Sequence, residues 1–225
     1  MAFIFEKHMT GMDRKVTLGT REGAETTVLT AGRTYDATAS ELWDALTSKE
    51  RLSRWFLPVT GDLRQGGRYQ FEGNAGGTIT ECVEPERISA TWEFGGGVSW
   101  LTLRLPARPD GTRLELEHEA PVMPGFSDVY GPGATGVGWD GGFLGLGIHL
   151  EDPETGRSPE MLAEWHTTDE GREFYARSAA AWGAADEAAG TPAEEARARA
   201  DNTRAFYTGE VSGMSGDGSG AAEAQ

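Results

Sequence analysis

The hydrophobic pattern of this chain changes period several times, and each change marks a class of element. "RKVTLGTREGAETTVLTAGRTYDA" holds two β-rich runs around the turn-prone "REGAE", which predicts a hairpin. In "TASELWDALTS" the apolar positions Leu42, Trp43 and Leu46 fall at helical spacing behind Thr38 as N-cap, with Glu41 three residues on, a capping box. Thr47 with Glu50 predicts a second cap opening "SKERLSRWF". After "PVTGD" the period falls to two. Tyr69 and Phe71 share a face, as do Ile88, Ala90, Trp92 and Phe94; "VSWLTLRLP" and "GTRLELEHEA" continue the pattern. Glu84-Pro85-Glu86, Gly95-Gly96-Gly97 and Pro109-Asp110-Gly111 break the runs as tight turns. Residues 26–119 are therefore expected to form antiparallel strands, interrupted by two helices between Ser40 and Phe56.

The stretch "ATGVGWDGGFLGLGIHLE" spells G-x-G-x-x-G with Gly136, Gly138 and Gly141. A dinucleotide turn needs a strand directly before it inside a parallel βαβ unit. Here "PVMPGFSDVYGPGATG" precedes it, with Pro121, Pro124 and Pro132, so that reading fails. Trp139, Phe143, Leu146 and Leu150 at i, i+4, i+7 and i+11 predict a helix over 138–150 instead. Its glycines each cost a helix about 1 kcal/mol relative to alanine, which points to close approach by a sheet or loop. Farther on, Phe174, Ser178 and Trp182 at i, i+4 and i+8 lie within "SPEMLAEWHTTDEGREFYARSAAAWGAADEAAG" and mark one helix; Thr191-Pro192 with Glu194 and Glu195 opens another. Both are expected to dock on the domain, followed by a polar, glycine-rich tail.

These motifs in this order, from the hairpin through "ATASELWDALTSKERLSRWF", "DLRQGGRYQF", "GTITECVEPERISATWEF" and "DGTRLELEHEA" to "GVGWDGGFLGLGIHLE", resemble one branch of the START-like superfamily. That branch is the activator of heat shock protein 90 ATPase homology group, also labelled SRPBCC or polyketide cyclase-like. The resemblance implies an α+β helix-grip fold, a curved antiparallel sheet wrapped on a C-terminal helix with a cavity between them. The expected organisation is a flexible N-terminal segment over 1–11, a helix-grip domain over 12–152, a helical extension over 153–208 and a disordered tail over 209–225.

Charge narrows the partners. The formal net charge is −16, and residues 151–225 carry 6 basic and 16 acidic side chains, a net −10, against −6 for residues 1–150. Such a field repels phosphate backbones and anionic lipid, so neither nucleic acid nor membrane is an expected partner. Cys82 is the single cysteine, which rules out an intrachain disulfide or a cysteine-based zinc site and suits a reducing compartment. The opening "MAFIFEKHMTGMDRK" has no secretory core, and no apolar run reaches the ~18 residues of a membrane span. A cytoplasmic protein is expected, with Met12 a second candidate for its start.

Candidate chemistry is sparse. His118 continues the face of Leu114 and Leu116, as either a general base or ligand contact, or a core histidine satisfied by a neighbouring hydroxyl or carbonyl. Arg104 lies on the opposite parity from Leu101, Leu103 and Leu105; it is solvated if the leucines face the cavity and an anion contact if they do not. Trp55, Tyr69, Phe71, Trp92, Trp139 and Phe143 either line a cavity or simply fill it. His149 and His166 lack metal-site spacing and read as surface residues; Glu115, Glu117 and Glu119 read as a solvated face. No cofactor or metal is implied. The leading expectation is a binding module for a small hydrophobic molecule, with Trp55, Tyr69, Phe71, Trp92, Arg104, His118, Trp139 and Phe143 as the candidate site. Two alternatives stand beside it. One is a cyclase, hydrolase or dehydratase acting on a polyketide-like aromatic substrate; the other is a co-chaperone-like protein or one that sequesters a reactive metabolite for self-resistance. Oligomeric state is left open.

Overall fold

The computed structural model describes residues 5–153 and 164–210. A short helix, α1 (Phe5–Met9), leads into the hairpin of β1 (Asp13–Arg21) and β2 (Ala24–Tyr35). The turn between them is Glu22-Gly23, both at positive φ, 52° and 84°, which matches the twist of the flanking strands. Two helices follow, α2 (Ala39–Thr47) and α3 (Lys49–Trp55). Thr38 caps α2 by accepting from the Glu41 amide, as predicted. The second cap is Ser48 rather than Thr47: Ser48 accepts from the Arg51 amide, and the Thr47 hydroxyl donates back to the Trp43 carbonyl inside α2. The helix simply runs one residue farther before it breaks.

Next come β3 (Val59–Gly61), β4 (Arg68–Phe71), β5 (Gly76–Val83), β6 (Arg87–Phe94), β7 (Gly97–Arg104), β8 (Ala107–Arg108) and β9 (Gly111–Pro121). They form one antiparallel sheet in the order β1-β2-β9-β7-β6-β5-β4-β3, with β8 paired to β9. β9 is central to closure, pairing with β2 from Thr26↔Pro121 to Tyr35↔Thr112 and with β7 from Trp100↔Glu119 to Arg104↔Glu115. The β5–β6 register shifts at a bulge between Ile79 and Glu81. Strand alternation holds almost throughout; Phe94 alone of its predicted face is exposed, because it sits at the tip of the β6–β7 hairpin.

The chain then turns through α4 (Phe126–Tyr130) into the long helix α5 (Gly133–Glu151), and continues to α6 (Asp169–Ala188) and α7 (Ala193–Tyr207). Helix α5 begins five residues before the predicted 138, because its first turn is held by the C-terminal helices: Tyr207 donates to the Ala134 carbonyl. It is buried on two sides. Toward the sheet it presents Phe143 and Leu146, with half-buried Trp139, and the Tyr35 hydroxyl of β2 donates to the Phe143 carbonyl. Toward α6 it presents Gly136, where any Cβ would collide with the Trp182 indole, and Asp140. Asp140 accepts from Arg14 of β1 at 2.9 Å and from the Ser178 hydroxyl of α6 at 2.5 Å. Burial pushes its carboxyl up to about 6 against the pull of Arg14 and Ser178.

Phe174, Ser178 and Trp182 are all fully buried, so α6 docks along the predicted stripe. Residues 5–9, expected within a flexible segment, instead form α1, with Phe5 edge-on to Phe174 and packed on Leu144. The pocket that holds Phe5 exists only once α5 and α6 are assembled, which local periodicity does not reveal. Residues 1–4, the stretch 154–163 of the expected helical extension and residues 211–225 of the expected tail lie outside the described residues.

Phe143 is 2% exposed at the junction of α5 and the sheet. Phe143→Ala is expected to cost roughly 3–5 kcal/mol of unfolding free energy in urea. A loss below about 1 kcal/mol would place the helix elsewhere.

Candidate functional site

The concave face of the sheet does not meet α5 closely along its whole length. Between them, closed at one side by α2 and α3, lies a cavity in which the centres of water-sized molecules have about 90 Å³, well above the ~10–15 Å³ that admits one water. Alternation along the strands supplies its floor: Tyr69 and Phe71 from β4, Ile88, Ala90 and Trp92 from β6, Leu101 and Leu103 from β7, Leu114 and Leu116 from β9. Trp139, Gly142, Phe143 and Leu146 of α5 form the roof, and Leu46, Leu52, Trp55 and Phe56 the side wall. No residue lining it carries a carboxylate, amine, guanidinium or imidazole.

Three of the lining aromatics, Trp55, Tyr69 and Trp139, have their polar tips tied to protein. Trp55 donates its indole N–H to the Ala45 carbonyl at 2.9 Å, and Tyr69 its hydroxyl to the Thr91 carbonyl at 2.7 Å. The Tyr69 phenol is pushed well above its ordinary range by burial. Trp139 donates to His118 Nδ1 at 2.8 Å.

His118 is 4% exposed and lies behind the cavity wall rather than in it. An indole N–H only donates, so Nδ1 must be the ring's lone-pair nitrogen and Nε2 must carry the proton. Nε2 therefore donates to Ser99 Oγ at 2.7 Å, and Ser99 donates onward to the Trp92 carbonyl at 3.1 Å. Burial holds the imidazole down to about 4, so the ring is neutral at pH 7. Each polar atom in this relay is satisfied, which corrects the reading of His118 as a ligand's polar handle. The relay is also oriented against catalysis: the basic nitrogen is occupied by Trp139, and the nitrogen facing Ser99 is already protonated and cannot take the hydroxyl proton.

Arg104 is likewise outside the site. The leucines of β7 face the cavity, and Arg104 reaches Glu117 at 3.4 Å on the convex face, 41% exposed. Neighbouring Glu115 and Glu119 pair there with Arg108 and Arg21, so the predicted solvated face is ion-paired. His149, expected at the surface, is buried where α3 packs on the last turn of α5, and its Nε2 accepts from Arg51 at 3.0 Å. Among the described residues no three His, Cys, Asp or Glu side chains converge as metal ligands.

Of the eight candidates, the structure brings Trp55, Tyr69, Phe71, Trp92, Trp139 and Phe143 to one cavity and leaves His118 and Arg104 out. Residues outside those eight candidates line the cavity as well, Phe56 and Gly142 among them. Phe56, the C-cap residue after α3, turns into the cavity, and Gly142 forms part of the roof. Ser99, the partner of His118, shares the inward parity of Leu101 and Leu103; that parity was the available signal.

The curved sheet gripping α5 defines a helix-grip protein. The model of the family described as "Activator of Hsp90 ATPase homolog 1-like protein" matches residues 36–140. CalU16 from Micromonospora echinospora is 32% identical in its crystal structure, with 79% of this chain and 99% of that chain covered and a TM-score of 0.60. Its solution structure gives 32%, 80%, 97% and 0.55. The chain belongs to this activator of Hsp90 ATPase homologue-like family. DynU16, a protein in the dynemicin biosynthetic locus, shares the fold at 19% identity over 58% of this chain and 49% of that chain, with a TM-score of 0.51. No curated protein matches the sequence.

A histidine at about 4 in the folded state and near 6.5 when unfolded stabilises the fold fully above pH 6.5. That contribution, about 3 kcal/mol, is lost as pH falls from 6.5 to 4. Urea titrations at pH 7 and pH 4 should therefore show a larger acid loss for the wild type than for His118→Gln, by about that amount. Equal losses would mean that His118 is not held neutral by the fold.

Proposed function

We propose that this protein binds a small, uncharged, apolar molecule in the cavity beneath α5 and holds it without transforming it. The observation that carries this reading is the lining, built of apolar side chains that include six aromatic positions the sequence singles out, with no acid, base or nucleophile directed inward. An enzyme would need a base and a charge-stabilising partner within reach of one substrate atom. The nearest such pair, His118 and Ser99, is committed to Trp139 and to the Trp92 carbonyl.

Holding rather than converting a molecule suits carriage or sequestration better than turnover. The co-chaperone alternative rests on the family's description alone, whereas the cavity supports a small guest directly. The lone Cys82 fits a reducing, cytoplasmic setting. Among the described residues no helix is long and apolar enough to cross a membrane.

Trp55, Trp92 and Trp139 report on the cavity from within. Titration with a panel of uncharged apolar compounds, saturated and aromatic, is expected to give a saturable change in tryptophan emission for some of them. Ala90 lines the floor, so Ala90→Phe should fill the space and abolish the change while cooperative unfolding persists. A wild-type protein that binds none of the panel, or an Ala90→Phe variant that binds as well as wild type, would contradict the proposal.

A further inference from the structure

Arg51 ties three helices together. It lies on α3, pairs with Glu41 and Asp44 of α2 at 2.7 Å and 2.9 Å, and donates from Nε to Nε2 of His149 in the last turn of α5 at 3.0 Å. The helices it joins to α5 carry the side wall of the cavity, Leu46 on α2 and Leu52 and Trp55 on α3. One turn before His149, the Trp55 carbonyl approaches α5 so closely that a Cβ at Gly145 would lie 2.5 Å from its oxygen. The wall thus rests on α5 at a close backbone contact and, one turn on, at a polar one.

The polar contact requires a neutral ring. A guanidinium only donates, so His149 Nε2 must hold the lone pair and Nδ1 the proton. The ring is 1% exposed, and Nδ1 has no hydrogen-bond partner among the described residues, so no acceptor stands ready to stabilise a charged imidazole. Two cations, Arg51 and Arg54 of α3, oppose that charge, and Glu41 of α2 favours it; Asp44 is engaged by Arg51, and Glu50 by Arg54. Farther round this end of α5, His8 of α1 and Arg33 of β2 meet Gly147, and Lys7 of α1 pairs with Glu151. Burial first, then Arg51 and Arg54, hold the imidazole below its ordinary range. A proton added to Nε2 would set N–H against N–H at 3.0 Å. Arg51 cannot yield its own proton, so the two side chains must part.

Building on the cavity-binding reading, we propose that Arg51 and His149 form a pH-operated latch on the side wall, closed while the imidazole is neutral and released when it takes a second proton, so that the guest is held at neutral pH and let go in acid. An imidazole released to water titrates near ~6.5, whereas the closed wall keeps it neutral to lower pH. Closure is therefore complete above that ordinary value, and opening gains as pH falls below it, until the ring charges in the closed state as well. His118, held down to about 4, stays neutral to pH 5; Asp140, at about 6 on the α6 side of α5, titrates within the same window and is separated from His149 by substitution.

Three measurements on the full chain between pH 8 and pH 5 test the latch. In hydrogen exchange, corrected for its intrinsic rate, residues 49–55 of the wild type should lose about tenfold or more of their protection relative to β9. Nitrogen NMR should show the His149 ring gaining charge at the same midpoint. His149→Gln keeps an acceptor for Arg51 but cannot titrate, so its α3 protection should stay level. In stopped flow, the uncharged dye N-phenyl-1-naphthylamine should leave the wild type about tenfold faster at pH 5 than at pH 8, and leave His149→Gln at one rate throughout. A ring that stays neutral while α3 opens, an α3 that opens equally in His149→Gln, or dye release that does not follow the opening would overturn the latch. The first two readouts need no guest, so they decide the latch even if the dye fails to bind at pH 8, a failure that would count against the cavity reading instead.

Discussion

The hydrogen bond from the Trp139 indole to His118 Nδ1 is the constraint on which the site depends. It joins the gripping helix to the central strand β9, and it selects one tautomer of the histidine, because the indole has only a proton to offer. From that tautomer the rest of the relay follows, Nε2 to Ser99 and Ser99 to the Trp92 carbonyl. One donor on α5 thereby orders three strands' worth of side chains and fixes the aromatic plane that roofs the cavity. The same bond that supports the wall also occupies the lone pair that His118 would use as a base.

Helix α5 meets a second constraint, being buried against the sheet on one side and against α6 and α1 on the other. A helix so enclosed cannot show a clean apolar stripe with a polar reverse. Its far side is polar only at Asp140, which is matched to Arg14 and Ser178, and elsewhere is thinned to glycine where Trp182 presses in. Of the three glycines in the nucleotide-like G-x-G-x-x-G spacing, Gly136 is the one pressed in this way. Gly136 answers to an indole rather than to a pyrophosphate.

What the sequence made legible was whatever depends on one face of one element. The strands alternate because one side of the sheet is apolar and the other carries ion pairs, so period two alone puts Tyr69 with Phe71 on one face of β4 and Ile88, Ala90 and Trp92 on one face of β6. The Thr38 cap and the Phe174, Ser178, Trp182 stripe are local in the same sense. What escaped depends on elements distant in the chain. His118 has the same parity whether it faces a guest or a tryptophan 21 residues away, and only the assembled fold decides. Phe56 follows the last residue of α3, where helical periodicity no longer assigns a face, and Phe5 finds its pocket only between α5 and α6. His149 was misread for a like reason, since Arg51 approaches it from a helix 98 residues earlier.

The proposed role, holding an apolar guest, rests on His118 being structural and neutral behind the cavity wall. Nitrogen NMR of the histidine rings at neutral pH tests that claim most directly, since a ring nitrogen bearing a proton and one bearing a lone pair resonate far apart. The account predicts that His118 shows a proton on Nε2 and a lone pair on Nδ1, unchanged when an apolar guest is added. A proton on Nδ1, a charged ring, or a free and exchanging imidazole would contradict it and return His118 to the candidates for acid or base chemistry.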